Sequence, residues 1–469
     1  MKIQRSEFLK IGNVRALGFD AIPEAVVTGV STDSRTTRNG DAFFAIRGEK
    51  FDGHDFLTKA IGTGASVVVV DRKWADANGT MLVSLSVPRL VVENTSVALG
   101  DLARVFRMKF RIPVVAVAGS NGKTTTKNMI SAVLGSSYNV LSTEGNLNNH
   151  IGVPQTLFRL GDEHEMAVVE IGTNHFGELS YLCRILAPTH GVITNIGREH
   201  LEFFRTVEGV AKAEGELIDW LRENKGTFFA NKDDRHIAKR VRNSRLNKTV
   251  TFGFQSAAVD IKGNRIALDD RGCPGFTIRP KGKKPFDVQL NVPGEQNAGN
   301  ALLAAAVGLS MGVAARNVAK ALEKFSAAGK RMEVLTLNGL KVLNDTYNAN
   351  PDSMIAALST LRSMKAAGRR IAVLADMLEL GRTAEMEHRN VGRILRKHKV
   401  DCLFTYGALA KFIHDAANVR SKTHCADKTD LEKQLSAYVK TGDLVLVKGS
   451  RGMKMEEVVS VLQQKFAQD

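Results

Sequence analysis

Four runs of apolar residues constrain the fold of this chain more than any other feature: PVVAVAG (113–119), MAVVEIG (166–172), HGVITNIG (190–197) and GTFFAN (226–231). A strand with one wet face alternates apolar and polar side chains, whereas a strand covered on both faces is apolar throughout. Helix-patterned stretches separate the four runs, and QNAGNALLAAAVGLSMG (296–312) is a further helix. Residues 111–327 therefore read as an α/β domain built on a mostly parallel sheet.

Two flanking regions carry patterns of their own, as a chain of 469 residues requires, because single cores stop growing at about 250–300 residues. Residues 1–110 hold the strand-like AFFAIR (42–47), SVVVV (66–70) and RLVVE (89–93). TSVALGDLARVFRMK (95–109) has apolar residues at helical spacing and leads into the middle domain. Residues 328–469 hold GLKVLNDTY (339–347), RRIAVLADM (369–377), CLFTYG (402–407) and DLVLVKGSRG (443–452), with helical segments between them. That order is expected of an open, doubly wound sheet, in which ligands gather beyond the carboxyl ends of the strands.

The first apolar run of the middle domain continues as VAVAGSNGKTTTKNM (115–129), a strand, a glycine turn and a helix opened by lysine and threonine. In the phosphate-loop pattern G-x-x-x-x-G-K-[ST], Val117 stands where the first glycine belongs, so the turn is the shorter Gly119, Ser120, Asn121, Gly122, Lys123, Thr124, Thr125. Its physics is unchanged: backbone N–H groups at a helix start point at an anion, and Gly122 permits a conformation that a side chain would block. Lys123 reaches the β/γ-phosphates and the Thr124 hydroxyl is a magnesium ligand. A site of this kind serves ATPases, kinases and ligases alike.

Magnesium beside phosphates takes carboxylate oxygens. Glu170 ends a buried strand, where its charge needs a partner, and His200 follows the next strand. Lys212 lies on the expected helix TVEGVAKAEGELI (206–218). An ammonium has three donors and no lone pair, so residue chemistry alone makes Lys212 a solvated helix lysine.

The formal charge of +16 raises a nucleic-acid partner. The basic clusters KRVRNSRLNK (239–248) and RPKGKK (279–284) lack the interleaved aromatics of a single-strand stacking platform, so the charge reads as solvated surface with a share for anionic small molecules. Cys183, Cys273, Cys402 and Cys425 are far apart, and reduced thiols in a cytoplasmic protein are the expectation. MKIQRSEFLK has no apolar signal core, and no run approaches the ~18 apolar residues of a membrane span.

Beyond the loop, TEGNLNNHIGVP (143–154), EIGTNHFGE (170–178), NIGREHLEFF (195–204), AKAEGE (211–216), NAGN (297–300), KRMEV (330–334), NDTYNANPDSM (344–354), LADMLELG (374–381) and VLVKGSRGMKME (445–456) follow in order. With GSNGKTTTK (119–127) they resemble the Mur ligase family, ATP-dependent amide-forming enzymes of bacterial cell-wall precursor synthesis. The segments EIGTNHFGE, DTYNANPDSM and LADMLELG resemble the branch that joins D-alanyl-D-alanine to UDP-N-acetylmuramoyl-tripeptide. The D-N-P-R string usual where the third residue is added does not occur.

The resemblance implies three domains: a UDP-substrate domain (1–110), the phosphate-loop domain (111–327) and a Rossmann-like domain (328–469). It implies ATP, two magnesium ions and a carbamylated Lys212, whose two added oxygens would join Glu170 and His200 around the second ion. It places Asn297 and Asn300 on the adenine edge, and Arg331, Asp345, Tyr347 and Asn348 on the nucleotide's phosphate, ribose or base. Where many members have histidine before that first asparagine, this chain has Gln296. STDSR (31–35) and FFAIRGEKFDGHDF (43–56) resemble the UDP-holding segment, with Ser31, Arg47, Gly53 and His54 as contacts. Thr143, Asn148, Asn149, Lys448, Ser450 and Arg451 would meet the peptide substrates. A cytoplasmic monomer with no nucleic-acid partner is expected, with a hinge near Ala327–Lys330 that closes on ATP.

Overall fold

Strand Val114–Ala118 is buried along its whole length, as its uninterrupted apolar sequence requires. It belongs to a computed structural model that describes residues 1–19, 25–327 and 329–467. Sheets of five, nine and six strands succeed one another along the chain, with helices between them. The chain divides into two compact units, and it passes from the first into the second within this strand.

The first unit contains residues 1–116, 138–173 and 177–190. Its five-stranded sheet runs in the order Arg15–Leu17, Arg89–Val92, Ala65–Asp71, Asp41–Phe44, Gly29–Ser31. All neighbours are parallel except the first pair. Helix Thr95–Arg107 starts on Asn94, whose side chain accepts from the amides of Ser96 and Val97. Its Arg107 is buried and donates to the carbonyl of Leu186. Strand Met166–Glu170 pairs in parallel with Val140–Ser142.

The second unit contains residues 117–137, 174–176 and 191–469. Thr227–Asn231, Lys248–Gly253 and Ile261–Leu268 are parallel neighbours. Ile261–Leu268, Pro274–Pro280 and Phe286–Gln289 then form an antiparallel meander. The remaining sheet has the order Glu333–Leu337, Leu340–Asp345, Leu444–Lys448, Arg370–Ala375, Cys402–Tyr406, Ser421–Cys425. Only the opening hairpin is antiparallel. Alternate residues of its strands feed two cores. Leu343, Ala372, Leu374, Leu403 and Leu446 pack on one face, and Val342, Ile371, Val373, Phe404 and Val445 on the other. Period-two alternation between two apolar layers explains why these strands read as unbroken apolar runs.

Asp443, just before strand Leu444–Lys448, pins the bottom of this sheet. Burial pushes its carboxyl up, but the Arg369 guanidinium and the amides of Arg369 and Lys440 outweigh that and hold it below the ordinary range. A carboxyl depressed in the folded state binds fewer protons there, so its contribution is complete above about pH 4 and lost as pH falls below that. Asp443→Asn is expected to cost about 2 kcal/mol at pH 7. Chemical denaturation from pH 7 to pH 3 should show the gap to the parent protein closing as the pH falls; a pH-independent gap would refute the assignment.

All four cysteines are buried, and none of them forms a disulfide. Burial pushes the Cys273 and Cys425 thiols up to about 11. Among the described residues no helix is long and apolar enough to cross a membrane.

Candidate active site

The phosphate-loop segment forms the strand, turn and helix that its sequence dictates. Gly119 and Gly122 hold φ of +115° and +79°, the left-handed region that favours glycine. A Cβ on Gly119 would lie 2.3 Å from Thr194 Oγ1, and one on Gly122 2.9 Å from Asn300 Oδ1. Helix Lys123–Leu134 follows, so its first-turn amides have no intrahelical acceptor and face the loop mouth.

The strand end at 194–197 braces the loop. The Ser120 amide donates to Asn195 O, the Gly197 amide to Ser120 Oγ, and Thr194 Oγ1 and Asn195 Nδ2 both donate to Asn121 O. The Lys123 ammonium donates to the carbonyls of Gly119 and Ser120 and lies 3.3 Å from Glu199 Oε2. Thr124 is buried and its hydroxyl has no partner, while Thr125 is half-buried.

Glu199 has a neighbour that the sequence reading missed. Glu214 ends helix Val207–Glu214, is 1% exposed, and has no hydrogen-bond partner on either oxygen. Burial, then the Glu199 charge, push its carboxyl up to about 8 against the pull of Lys123 and of the Gly119 amide that points toward it. The signal was present: Val210, Glu214 and Leu217 share a face at i, i+4 and i+7. Lys212 lies off that face. It is exposed, with Nζ 5.3 Å from the centre of the Phe176 ring.

His200 sits at φ +47° at the start of helix Leu201–Phe204, with Nδ1 2.6 Å from Glu379 Oε2. That contact holds the Glu379 carboxyl below its ordinary range. Arg198, two residues earlier, is a second group that the sequence reading missed. It binds Asp352 through Nε at 3.0 Å and Nη2 at 2.5 Å, and Glu387 through Nη1 at 2.8 Å. Its backbone amide also donates to Asp352. Asn350 Nδ2 donates to Asn121 Oδ1 of the phosphate loop. The nucleotide turn is thus tied to helix Pro351–Ser363 of the last sheet domain.

Asn297 is buried, with Nδ2 on Pro293 O, and its Oδ1 accepts from Asn300, which packs against Gly122. Gln296 is exposed and its amide folds over Gly294. Arg331 stacks on Tyr347 at 3.5 Å from the ring centre, and Arg451 lies over the same ring at 5.6 Å. Asn348 Oδ1 accepts from the amides of Ala349 and Arg451. Lys330 and Met332 take left-handed φ of +65° and +52°; Ala328, within the expected hinge, lies outside the described residues.

Lys448 departs from its expected place at a peptide substrate. It is 1% exposed, with Nζ 2.5 Å from Asp345 Oδ2 and 2.8 Å from Asn348 O. Its strand and that of Asp345 are hydrogen-bonded neighbours, so the pair locks their carboxyl ends together. Ser450 is buried as well: its hydroxyl donates to Ala349 O and accepts from the Leu378 amide. Of the three, only Arg451 is exposed.

In the first unit, Glu170 is 2% exposed. Asn148 Nδ2 holds its Oε1 at 2.8 Å, Thr143 Oγ1 accepts from its amide, and its Oε2 has no partner. Asn149 caps helix Gly152–Leu157 through the amides of Ile151 and Gly152. His54 is closed off rather than presented: Nδ1 lies 2.5 Å from Asp52, Nε2 accepts from the Asp71 amide, and the ring stacks on Trp74. Gly53 is forced by packing, since a Cβ would meet Ile46 N at 2.6 Å. Ser31 is tied into the Asp33 turn. Arg47 pairs with Asp52 and Asp71 and remains half-exposed.

Among the described residues, no three His, Cys, Asp or Glu side chains converge into a metal cage. The orphaned oxygens of Thr124, Glu170 and Glu214 are nonetheless hard, buried donors of the type magnesium takes when phosphates complete its shell.

Three family models match the chain: "Mur ligase family, catalytic domain" over 26–107, "Mur ligase middle domain" over 117–308, and "Mur ligase, glutamate ligase domain" over 330–451. The chain is 36% identical over 444 residues to the UDP-N-acetylmuramoyl-tripeptide–D-alanyl-D-alanine ligase of Bacillus subtilis, covering 94% of each chain. Its fold is similar to the crystal structure of MurF from Acinetobacter baumannii, with a TM-score of 0.89, 29% identity and 99% of each chain covered. It is also similar to the MurF ligase of Thermotoga maritima in complex with ADP, with a TM-score of 0.82, 27% identity, and 94% and 99% covered.

Proposed function

The chain belongs to the Mur ligase family, and from that premise we infer that it is the ATP-dependent ligase that joins D-alanyl-D-alanine to UDP-N-acetylmuramoyl-tripeptide in peptidoglycan precursor synthesis. The observation that carries the chemistry is the strand-turn-helix at 114–134, with Lys123 held at the loop mouth.

A carboxylate resists attack by an amine because its carbon is already electron-rich. Transfer of the γ-phosphoryl group of ATP to the terminal carboxylate of the tripeptide gives an acyl phosphate. The amine of D-alanyl-D-alanine attacks that carbonyl, a tetrahedral intermediate collapses with loss of phosphate, and ADP is the co-product. The protein's part is positioning and charge neutralisation.

Lys123 and the first-turn amides of helix Lys123–Leu134 meet the β/γ-phosphates. Asn300, seated on Gly122 and oriented by Asn297, offers an amide to the adenine edge. Asp345, fixed by Lys448, faces the ribose; Tyr347 with Arg331 and Asn348 flanks the base or the phosphates. Arg451 reaches a peptide substrate from the same strand end. Thr143 and Asn148 act by orienting Glu170, and Arg47 is the exposed group for the UDP end. The Arg198–Asp352–Glu387 bridge joins the two halves of the nucleotide site, and the hinge between them is expected near Ala327–Lys330.

Magnesium, when bound, neutralises the transferring phosphoryl group and draws the substrate carboxylate toward it. Thr124 would hold one ion, and His200 would contribute to a second; Glu170, with its unpartnered Oε2, is a further candidate ligand. A carbamylated Lys212 would supply a further anionic oxygen ligand. The protein works in the cytoplasm, where its nucleotide-linked substrate is made.

The test is phosphate release from ATP with UDP-N-acetylmuramoyl-tripeptide and a panel of amines. Release with D-alanyl-D-alanine should exceed release with single amino acids by at least ~10^3-fold, because an unmatched polar group in the amine site forfeits that much. Release with a single amino acid and none with the dipeptide would overturn the assignment.

A further inference from the structure

The first unit carries a basic cleft with no part in the ligation. It has a volume of about 480 Å³ and is lined by Lys10, Asp101, Arg104, Val105, Met108 and Arg184, all within that unit. Asp101, Arg104 and Val105 stand at i, i+3 and i+4 on helix Thr95–Arg107 and so share one face, with Met108 at the helix end. Arg184 comes from the last turn of helix Glu178–Leu186, and Lys10 follows helix Arg5–Phe8. Gly100 lets the two longer helices approach: a Cβ there would lie 2.6 Å from Tyr181 Oη and 2.7 Å from Ile185 Cδ1.

Three cations meet one carboxylate in this cleft. Arg184 Nη2 lies 3.4 Å from Asp101 Oδ1, and its guanidinium lies over Tyr181 at 5.4 Å from the ring centre. Arg104 Nη1 donates to the Arg184 carbonyl, so one guanidinium is anchored on the backbone of the residue that carries the other. Glu7, the acidic residue of helix Arg5–Phe8, is taken by Lys109 at 2.6 Å. Among the described residues neither Lys10 nor Arg104 pairs with a carboxylate. Three cations less Asp101 leave an excess of two positive charges, and a guanidinium presents paired N–H donors that fit phosphate oxygens.

A phosphate monoester carries about −1.5 to −2 at neutral pH and matches that excess, whereas a single carboxylate neutralises only half of it. The volume falls within the roughly 300–1,000 Å³ of small-molecule sites, more than a phosphate group alone fills. Val105 is half-buried and Met108 is 58% exposed, so apolar surface stands open beside the cations. We propose that this cleft binds a small organic phosphate monoester, with the phosphate on Arg104, Arg184 and Lys10 and the apolar part on Val105 and Met108. None of these residues serves ATP, the UDP end or the peptides, so the site is independent of the ligase reading. It gives a place to part of the +16 formal charge.

The experiment is calorimetric titration of phenyl phosphate into the full-length protein, with benzoate as the monoanion control. One phenyl phosphate should bind per chain, at least ~10-fold more tightly than benzoate, and more weakly as sodium chloride is raised. Arg104→Ala and Arg184→Ala should each weaken it at least ~10-fold. Arg104 also ties the two helices together, so Lys10→Ala, at an exposed position, keeps the test open should Arg104→Ala fail to fold; it too should weaken the binding. A non-hydrolysable ATP analogue should leave the affinity unchanged. Competition by that analogue would assign the probe to the phosphate loop and overturn the proposal. Equal affinity for benzoate, or equal affinity of the parent and all three variants for phenyl phosphate, would overturn it too. So would no binding of phenyl phosphate. In that case, adsorption to phosphatidylglycerol vesicles but not phosphatidylcholine vesicles, lost in the variants, would assign the cations to a lipid surface.

Discussion

A Lys123→Ala variant should lose about 10^3-fold in ligation rate, the scale on which a single fixed cation or donor supports phosphoryl and acyl transfer. The loop carbonyls and Glu199 hold Lys123 in position before any nucleotide arrives, so little reorganisation is spent when the γ-phosphate is transferred. The same substitution should change stability in a way that identifies the site. Without the ammonium, Glu214 loses the cation that holds its carboxyl down, and that carboxyl rises further. A carboxyl raised in the folded state binds protons that the unfolded chain has released, so stability falls as pH climbs from the unfolded value near 4.3 through the folded one. In the parent that penalty is complete near pH 8, where Glu214 titrates. Both proteins lose stability alike up to about pH 8, so thermal melts at pH 6.5, 8 and 9.5 should show the variant falling behind the parent only above about pH 8. Parallel profiles for the two proteins would mean that Lys123 does not compensate that carboxylate.

Lys448→Met should be the most destabilising single change in the last domain, by about 3–5 kcal/mol, because it strands Asp345 as a buried charge. The ammonium is enclosed between Asp345 and the Asn348 carbonyl. Methionine matches its length and restores none of its hydrogen bonds. On the usual scaling, that domain should melt about 10 °C earlier. A second change, Asp345→Asn in the same chain, removes the stranded charge and should recover part of the loss. If the double variant melts as low as Lys448→Met or lower, the ion pair is not the source of the effect. Nucleotide affinity should fall in both, since Asp345 Oδ1 also fixes the Met332 amide next to Arg331.

The fold was legible where the sequence was apolar and the strands central. The runs at 113–119, 166–172, 190–197 and 226–231, and the four of the last domain, all became strands because burial on two faces leaves no room for a polar residue. The meander at 261–289 was not read. IKGNRIAL and PGFTIRP alternate, with Lys262, Asn264 and Arg265 set between apolar residues, and that pattern is also compatible with loops in a basic stretch. Edge strands such as Glu333–Leu337 and Ser421–Cys425 escaped for the same reason: one flank is open, and polar residues are tolerated there.

At the site, the phosphate loop could be read because its chemistry is local; glycine turn, lysine and threonine are contiguous. Glu214 and Arg198 could not be found by proximity in sequence. The partners of Arg198 are more than 150 residues away, at Asp352 and Glu387. Glu214 is two residues from Lys212, and only helical phase tells the inward group from the outward one. Lys448 and His54 were misjudged in the opposite direction. Both sit near expected ligand positions, but their polar atoms are consumed inside the protein by Asp345 and Asn348, and by Asp52 and Asp71.

The four enclosed cysteines carry a practical consequence. With Cys183, Cys273, Cys402 and Cys425 all buried, and two of their thiols held far from the thiolate form at neutral pH, the native surface is silent to maleimide dyes. Fluorophores attached to single cysteines introduced at exposed Glu202 and Arg382 would report distances without background labelling, and the swing of one nucleotide-binding half against the other could be followed in individual molecules.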